Sequence, residues 1–455
     1  MTVQNTTIMN KSLQDQVLDH NVLQSTYAEI RFKLRILLTM GQLLMENGAD
    51  SSRIMRILMR SAAYMGIPWH KVNLHITYTT LMLNISDEDH SYTSFKRSRK
   101  HGININVINA VSQLSWDAVT KEYTLSEIQD ALSQIQATPR SYSPVITALG
   151  AGIATAGFCT IFGGDVPAFF ITMLCSALAF YLQKLGLDVD LNKYISTTIS
   201  AFVATILCYT SHFLALSSTP WHPMLACALF LIPCMVIVTA LNDFLNSYLI
   251  CGLSRLIDAI LLICSVTLGI VLALEIGHVS EFVSLSTLVV HHAPGSFALG
   301  GAAAALGFAI LFSLPPSKLF IASLGGALAI SLRNLFIGYL NLSPMIAVLL
   351  AASIISTLTI ACRKIFRAQI IIIPAVIPMV PGLLLYRFLF SFINLQILGF
   401  SSFLVALENL VTALLILLSL SLGTYLPFMF ARRYIRKHDL KRYYELIRKS
   451  HSHWH

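Results

Sequence analysis

The spacing of apolar residues changes near residue 144. Before that point, apolar positions recur every three or four residues, as in amphipathic helices, or alternate, as in strands. From Pro144 to about Phe430 the chain is almost continuously apolar. A membrane-spanning helix needs about 20 apolar residues. The pattern therefore predicts a polytopic α-helical membrane protein preceded by a soluble α/β domain.

Ten apolar runs are long enough to be predicted as transmembrane helices. They are residues 144–162, 166–182, 194–216, 223–241, 253–274, 296–314, 319–337, 343–362, 369–390 and 405–430. The predicted domains are a cytoplasmic α/β domain at 1–143, a first five-helix repeat at 144–274, an external linker at 275–295, a second five-helix repeat at 296–430 and a basic tail at 431–455.

The distribution of Lys and Arg predicts the orientation. Loops after even-numbered runs carry most of these residues, and loops after odd-numbered runs carry almost none. By the positive-inside rule, both termini are expected in the cytoplasm, and the basic tail is expected to meet anionic lipid. The polar first twenty residues do not resemble a cleavable signal peptide.

The membrane region contains an internal repeat. A shift of 150 residues aligns 148–182 with 298–332 without gaps, and 14 of the 35 positions are identical. Each half would hold five helices, an odd number, so the second half is predicted to be inverted relative to the first. Inverted repeats are typical of secondary transporters.

The N-terminal region predicts helices and one hairpin. A first helix is expected to end at Gly48, and a second to start with Asp50 or Ser51 as N-cap and end at Gly66. The stretches 71–86 and 91–98, joined by the acidic turn "DEDH", predict a two-stranded hairpin. Two further helices are expected at 105–120 and 124–136.

Composition excludes several classes of function. The chain is 55% hydrophobic and only 12% charged, and its net charge of +9 is concentrated in the tail beside the last apolar run, which argues against nucleic-acid binding. Its eight cysteines form no CxxC pair, so neither a disulfide framework nor a zinc site is predicted. The histidines in "VVHHAP" and "HSHWH" are interpreted as solvated loop residues. No metal, cofactor or catalytic residue is predicted.

The ninth apolar run contains unusual backbone chemistry. Pro374, Pro378 and Pro381 recur at i, i+4 and i+7 and are followed by Gly382. An interior proline removes a helix hydrogen bond, and a break within a bilayer is tolerated only against protein or water. The spacing predicts three prolines on one helix face and a broken helix that lines a substrate site. A proline-kinked packing helix is the alternative.

Residues in or beside four of the runs are further candidates for substrate binding, since an ionisable group within a span costs at least about 2.5 kcal/mol and is usually functional. They are Pro233 in the fourth run with Asn242 and Asp243 directly after it, Arg255 and Asp258 three apart in the fifth, Tyr386 and Arg387 in the ninth, and Glu408 and Asn409 in the tenth. A structural ion pair between Arg255 and Asp258 is the alternative for those two.

These motifs resemble the threonine/serine exporter family over nearly the whole chain. The carriers of the resemblance are "IPCMVIVTALNDFLNSYLICGLSRLIDAIL", "IPAVIPMVPGLLLYRFL" and the N-terminal "ENGADSSRIMRILMRSAAYMGI". The sequence departs from the family pattern at Cys234, where a glycine is usual, and lacks an arginine before Asp243. The resemblance implies a bacterial inner-membrane exporter of threonine and serine. It also brings in two-chain versions of the family linked to dicarboxylates such as succinate.

Each substrate class suggests different partners. For threonine, Arg387 or the broken helix would bind the carboxylate, Asp258 or Glu408 the ammonium group, and Asn242 or Tyr386 the hydroxyl. For a dicarboxylate, Arg255 and Arg387 would serve. Because the chain shows no nucleotide-binding loop, proton coupling through Asp243, Asp258 or Glu408 is expected.

Other readings stay open at this level. A passive channel is the rival to a transporter, and "FGGD" at 162–165 resembles part of an intramembrane protease motif. The N-terminal domain is interpreted as an assembly or gating module, with a hydrolase as the alternative. Homo-oligomerisation is left open.

Overall fold

The computed structural model describes residues 28–86, 90–98, 102–137, 142–277, 294–361, 372–393 and 400–451. Most of the predicted linker, the acidic turn at 87–89, the histidines 291–292, the final four residues and the side chains of Tyr386 and of the basic tail from 432 onward lie outside this description. The chain divides into two compact units. The first comprises Met1–Gly102, Val107–Thr138 and Tyr444–His455, and the second Ile103–Asn106 and Pro139–Tyr443.

The first unit has the predicted α, β, α order. Its elements are α1 (28–46), α2 (Ser51–Tyr64), a 3-10 turn (Trp69–Lys71), β1 (Val72–Ile76), β2 (Thr80–Ser86), β3 (Ser91–Arg97), α3 (Ile105–Lys121) and α4 (Leu125–Ala137). Each of the first two helices is followed two residues later by a predicted terminating glycine, Gly48 or Gly66, with φ of 86° and 78°. Asp50 is the N-cap of α2, as predicted, and accepts from the Arg53 amide at 2.8 Å.

The ionised form of the Asp50 carboxylate is strongly stabilised. Burial raises the pKa of Asp50, but the guanidinium groups of Arg53 and Arg56 and hydrogen bonds from Ser52 and the Arg53 amide outweigh it, and the pKa falls to about 2. The carboxylate is therefore ionised throughout the physiological pH range.

The predicted two-stranded hairpin is wrong, because the stretch 71–86 forms two strands. The chain turns between β1 and β2, and the sheet is antiparallel with strand order β1-β2-β3. The Thr77 hydroxyl accepts from the Thr80 amide at 2.9 Å, and the Thr77 amide donates to the Thr80 carbonyl at 2.9 Å. A threonine side chain thus closes a turn where β-branched residues suggested a continuous strand.

The second unit is helical. Its first half contains α5 (Pro144–Phe162), α6 (Val166–Asp188), α7 (Lys193–Phe213), α8 (Trp221–Ala226), a 3-10 turn (Leu229–Leu231), α9 (Cys234–Leu245) and α10 (Leu249–Ile276). Its second half contains α11 (Pro294–Leu311), α12 (Pro316–Gly338), α13 (Pro344–Ala361), α14 (Ile372–Val376), a 3-10 turn (Ile377–Met379), α15 (Gly382–Ile393) and α16 (Phe400–His451).

Seven helices of the described chain are long and apolar enough to cross a membrane. They are α5, α6, α7, α10, α12, α13 and the segment Ser402–Ala431 of α16. The pair Trp221–Leu231 and Cys234–Leu245, bent by 51°, makes eight if it is one span, and α11 is a shorter apolar helix. The protein is thus a mostly helical, polytopic membrane protein, and the number ten stays a prediction.

Small residues allow the backbones of α5 and α11 to approach each other closely. A Cβ added at Gly157 would lie 2.6 Å from the Gly300 carbonyl oxygen, and one added at Gly300 would lie 2.9 Å from the Gly157 carbonyl oxygen. About two helical turns farther along the same pair of helices, Gly150 and Gly307 approach each other in the same way. Only glycine permits this approach, because a side chain would push the backbones apart.

Candidate functional site

One helix in each half is interrupted, and both interruptions have the same form. A short helix (α8 or α14) leads into a 3-10 turn, then into a proline, and then into a helix of 12 residues (α9 or α15). The prolines are Pro233 and Pro381. The prediction of a broken helix at the proline cluster is confirmed, and the first half contains its counterpart.

The backbone at each interruption makes a tight three-residue turn. The Cys234 amide donates to the Ile232 carbonyl at 2.7 Å, and the Gly382 amide donates to the Val380 carbonyl at 2.8 Å. Because proline has no N–H, the regular i to i−4 ladder cannot pass through these positions. A proline therefore stands at the break in both halves, although Pro427 is accommodated inside α16.

The prediction that the three prolines share one helix face is wrong. Pro374 is buried within α14, Pro378 lies in the 3-10 turn, and Pro381 stands at the turn before α15. The i, i+4, i+7 spacing defines one face only in a continuous helix. Each proline here serves a different part of the interruption.

The two interruptions contact each other. A Cβ added at Gly382 would lie 2.9 Å from Cδ1 of Ile232 and 3.4 Å from Cδ2 of Leu229. The residues around this point, including Cys234, Met379 and Val380, belong to one buried apolar cluster. The structure thus brings Pro233 and Gly382, both predicted site residues, to the same place.

A buried ionic cluster joins three helices of the first half. Arg255 Nε on α10 lies 3.1 Å from Asp243 Oδ2 on α9, and their side chains are only 7% and 0% exposed. Asp258, also on α10, forms a salt bridge with Lys193 and accepts from the Tyr194 hydroxyl at 2.9 Å. The ion pairs of Arg255 and Asp258 therefore reach neighbouring helices.

Asn242 and Asn246 extend this polar region toward the second half. The Asn242 Oδ1 atom is buried and has no hydrogen-bond partner among the described residues. The Asn246 Oδ1 atom accepts from the Tyr425 hydroxyl of α16 at 3.1 Å. A buried acceptor without a donor is costly, so Oδ1 of Asn242 is a candidate ligand contact.

The predicted residues of the second half are arranged differently. Arg387 on α15 has a buried Nε atom that makes no hydrogen bond with the described residues. Glu408 is exposed near the start of α16, and Asn409 donates to the Val405 carbonyl at 2.8 Å within the same helix. No ion pair joins Glu408 to another described residue, so the structure does not bring it into the ionic cluster.

The family comparison agrees with the membrane architecture. A family model described as "Putative threonine/serine exporter" matches residues 35–277, and a second, "Threonine/Serine exporter, ThrE", matches residues 298–430. The chain belongs to the threonine/serine exporter family. The family names describe a transporter and not an enzyme.

Relatives of this exporter family member carry two kinds of name. A "Threonine/serine exporter" of Corynebacterium glutamicum is 21% identical over 90% of this chain and 84% of its own length. Two proteins named "Probable succinate transporter subunit YjjP", from Klebsiella aerogenes and Escherichia coli, are 26% and 27% identical over 55% and 53% of this chain. These alignments cover 96% and 93% of the two relatives. No solved structure matches the chain.

Asp165, in the "FGGD" stretch, has a structural role. Its carboxylate accepts from the Ala168 amide at 2.8 Å as the N-cap of α6, and from the hydroxyls of Ser217 and Ser218 at 2.7 and 2.6 Å. Burial raises its pKa, but these hydrogen bonds outweigh burial and hold the pKa well below the usual range. A turn anchored in this way explains the motif without catalysis.

Sequence reasoning missed three polar residues that the structure places beside the predicted ones. They are Lys193, Tyr194 and Tyr425, none of which the sequence pattern singles out as a candidate. The available signal was the lysine–tyrosine pair at the start of α7, in a chain where charged residues are rare.

Proposed function

We propose that the protein is a secondary exporter of small amino acids, threonine and serine first, with its substrate site where the two interrupted helices meet. The observation that carries this proposal is the contact of Gly382 with Ile232 and Leu229 at the paired breaks. Transporters commonly bind substrate between discontinuous helices of two repeats, because half-helix ends present partial charges in mid-membrane.

An inverted repeat of two five-helix halves is part of the proposal. A shift of 150 residues carries Val166–Asp188 onto Pro316–Gly338, and a shift of 148 carries the turn Leu229–Leu231 onto Ile377–Met379. The glycine contacts support a two-fold axis between α5 and α11, because Gly150–Gly307 and Gly300–Gly157 are the same repeat positions exchanged. Five spans in each half would leave both termini in the cytoplasm.

The substrate assignment rests on the family and on one buried acceptor. Asn242 Oδ1 has no donor among the described residues and would accept from the hydroxyl or ammonium group of threonine. A second candidate is a dicarboxylate such as succinate, favoured by the two relatives named as succinate transporter subunits. Both classes share a carboxylate.

Proton coupling is the proposed source of energy. Asp258 carries its proton-accepting oxygen between Lys193 and Tyr194, and only the ionised form attracts the Lys193 ammonium group. Protonation would release Lys193 and loosen α7 from α10. In the proposed orientation this exchange occurs at the cytoplasmic end, where α10 begins.

Transport into sealed proteoliposomes tests the proposal. An imposed pH gradient is expected to drive threonine or serine above its equilibrium ratio, and succinate is measured in parallel. Equilibration that ignores the gradient identifies a passive channel and contradicts the proposal. Accumulation of succinate alone replaces the first substrate class by the second.

A further inference from the structure

Two arginines of the second half are partly buried, and each has a buried Nε atom without a hydrogen-bond partner among the described residues. Arg333 lies on α12 and Arg387 on α15, and neither Nε atom makes a hydrogen bond with the described residues. Arginine remains charged at physiological pH, and a buried N–H donor without an acceptor is costly, so an anion that accepts from it is favoured.

The repeat shows that the fold itself does not need a cation at the first of these positions. The residue equivalent to Arg333 in the first half is Gln183, whose Nε2 atom donates to Thr197 Oγ1 at 3.0 Å and joins α6 to α7. The residue equivalent to Thr197 is Ala347, which is fully buried and offers no side-chain oxygen. Arg333 therefore stands where the first half has a neutral glutamine that joins two helices. The hydroxyl that accepts this hydrogen bond in the first half has no counterpart at Ala347.

The second arginine shows the same substitution. The shift of 148 residues that aligns the interruptions places Arg387 at the position of Thr239. The Thr239 hydroxyl donates to the Met235 carbonyl of its own helix at 2.9 Å, and its hydrogen bond is thus made within α9. Here too a neutral, satisfied side chain in one half becomes a cation in the other.

The buried acids lie in the first half and already face cations. Asp243 pairs with Arg255, and Asp258 pairs with Lys193. Glu408 of α16, the acid predicted for the second half, is exposed and takes no part in a buried ion pair with a described residue. Within the described membrane helices, the first half therefore contains buried ion pairs, whereas the second contains two partly buried arginines whose Nε atoms lack a described acceptor.

From this asymmetry we infer that Arg333 and Arg387 bind the carboxylate of the transported solute. The inference rests on the proposed function and assigns anion recognition to the second half alone. The ligand chemistry is a small carboxylate, either the α-carboxylate of an amino acid or a carboxylate of a dicarboxylate. Planar guanidinium groups suit carboxylates because they donate two parallel hydrogen bonds.

The test replaces each arginine by its repeat equivalent. Arg333→Gln and Arg387→Thr are compared with the wild type and with Lys184→Gln, which removes a cation beside Gln183 that has no ion pair with a described residue. Melting temperature is measured for each purified full-length protein without ligand, with threonine and with succinate, and KM for transport is measured in proteoliposomes.

Loss of a charge-assisted contact is expected to raise KM by about tenfold or more in either arginine variant, and to abolish the ligand-induced rise in melting temperature. The unliganded melting temperature should be unchanged or higher, because a buried donor without an acceptor is gone. Lys184→Gln should match the wild type. The ligand that stabilises the wild type, threonine or succinate, identifies the source of the carboxylate.

Wild-type KM and ligand response in both arginine variants would overturn the inference and leave the exporter proposal intact. A lower unliganded melting temperature with unchanged KM would assign the arginines to folding and also overturn it. A wild-type protein that neither transports nor is stabilised by either solute would contradict the proposed function itself.

Discussion

The two halves of the membrane unit share a backbone plan and differ in their charges. Both contain a short helix, a 3-10 turn, a proline turn and a 12-residue helix, and both contribute glycines to the α5–α11 contact. Among the residues that the structure describes, only the first half contains a buried ionic cluster, built on Asp243 and Arg255. The shared features depend on proline and glycine, whereas the differing ones depend on side-chain chemistry. Architecture and recognition are therefore separable in this molecule.

The largest expected effect is at Asp243. Asp243→Ala leaves Arg255 buried without its acid and should cost about 3–5 kcal/mol of stability. The charged position Glu408 of the second half is exposed, so Glu408→Ala should change stability by no more than about 0.5 kcal/mol. Thermal unfolding in detergent measures both. Equal losses of stability in the two variants would contradict the expectation that the buried acid of the first half stabilises the protein more than the exposed acid of the second.

The prolines should affect transport in both halves. Pro233→Ala and Pro381→Ala each restore an N–H group and allow the helix ladder to close, so stability should be unchanged or higher. Transport should nevertheless fall by about tenfold or more, because the half-helix end at the site is lost. Melting temperature and transport are measured on the same preparations. Lower stability with full transport per folded molecule would reduce the prolines to packing residues.

Alanine substitutions at the glycine contacts are expected to cost the same stability in the two halves. Gly157→Ala and Gly307→Ala each insert a methyl group against backbone and should cost about 1–3 kcal/mol. The matched control is Gly338→Ala, since an added Cβ there meets nothing within 4 Å. Clearly unequal costs at Gly157 and Gly307 would contradict the two-fold arrangement.

The smallest expected effect is at Lys193. Its side chain is 42% exposed, so its pair with Asp258 should contribute less than about 1 kcal/mol, and Lys193→Gln should barely alter the melting temperature. Under the proposed coupling, the same variant should weaken the dependence of transport on an imposed pH gradient. An unchanged gradient dependence would remove Lys193 from the coupling mechanism.

The sequence was most informative where local chemistry decides the structure. Long apolar runs located the seven described helices that are long and apolar enough to cross a membrane. Pro381 with Gly382 located a break, because a missing N–H acts at its own position. The partners of Asp243 and Asp258 were not predictable, because contacts between helices depend on rotation and tilt that no local pattern encodes. The turn at Thr77 was missed because its side-chain hydrogen bond competes with a strand pattern of equal strength.

The glycine contact between α5 and α11 has a consequence for how such proteins are divided among genes. Because the halves meet through their backbones, the covalent link between α10 and α11 adds mainly effective concentration. We therefore expect residues 1–277 and 294–455, co-expressed as two polypeptides, to co-purify as a heterodimer. Gly307→Leu in the second polypeptide should abolish that association, and recovery of the pair with this variant would refute the idea. One long gene and two short genes would then encode the same membrane assembly.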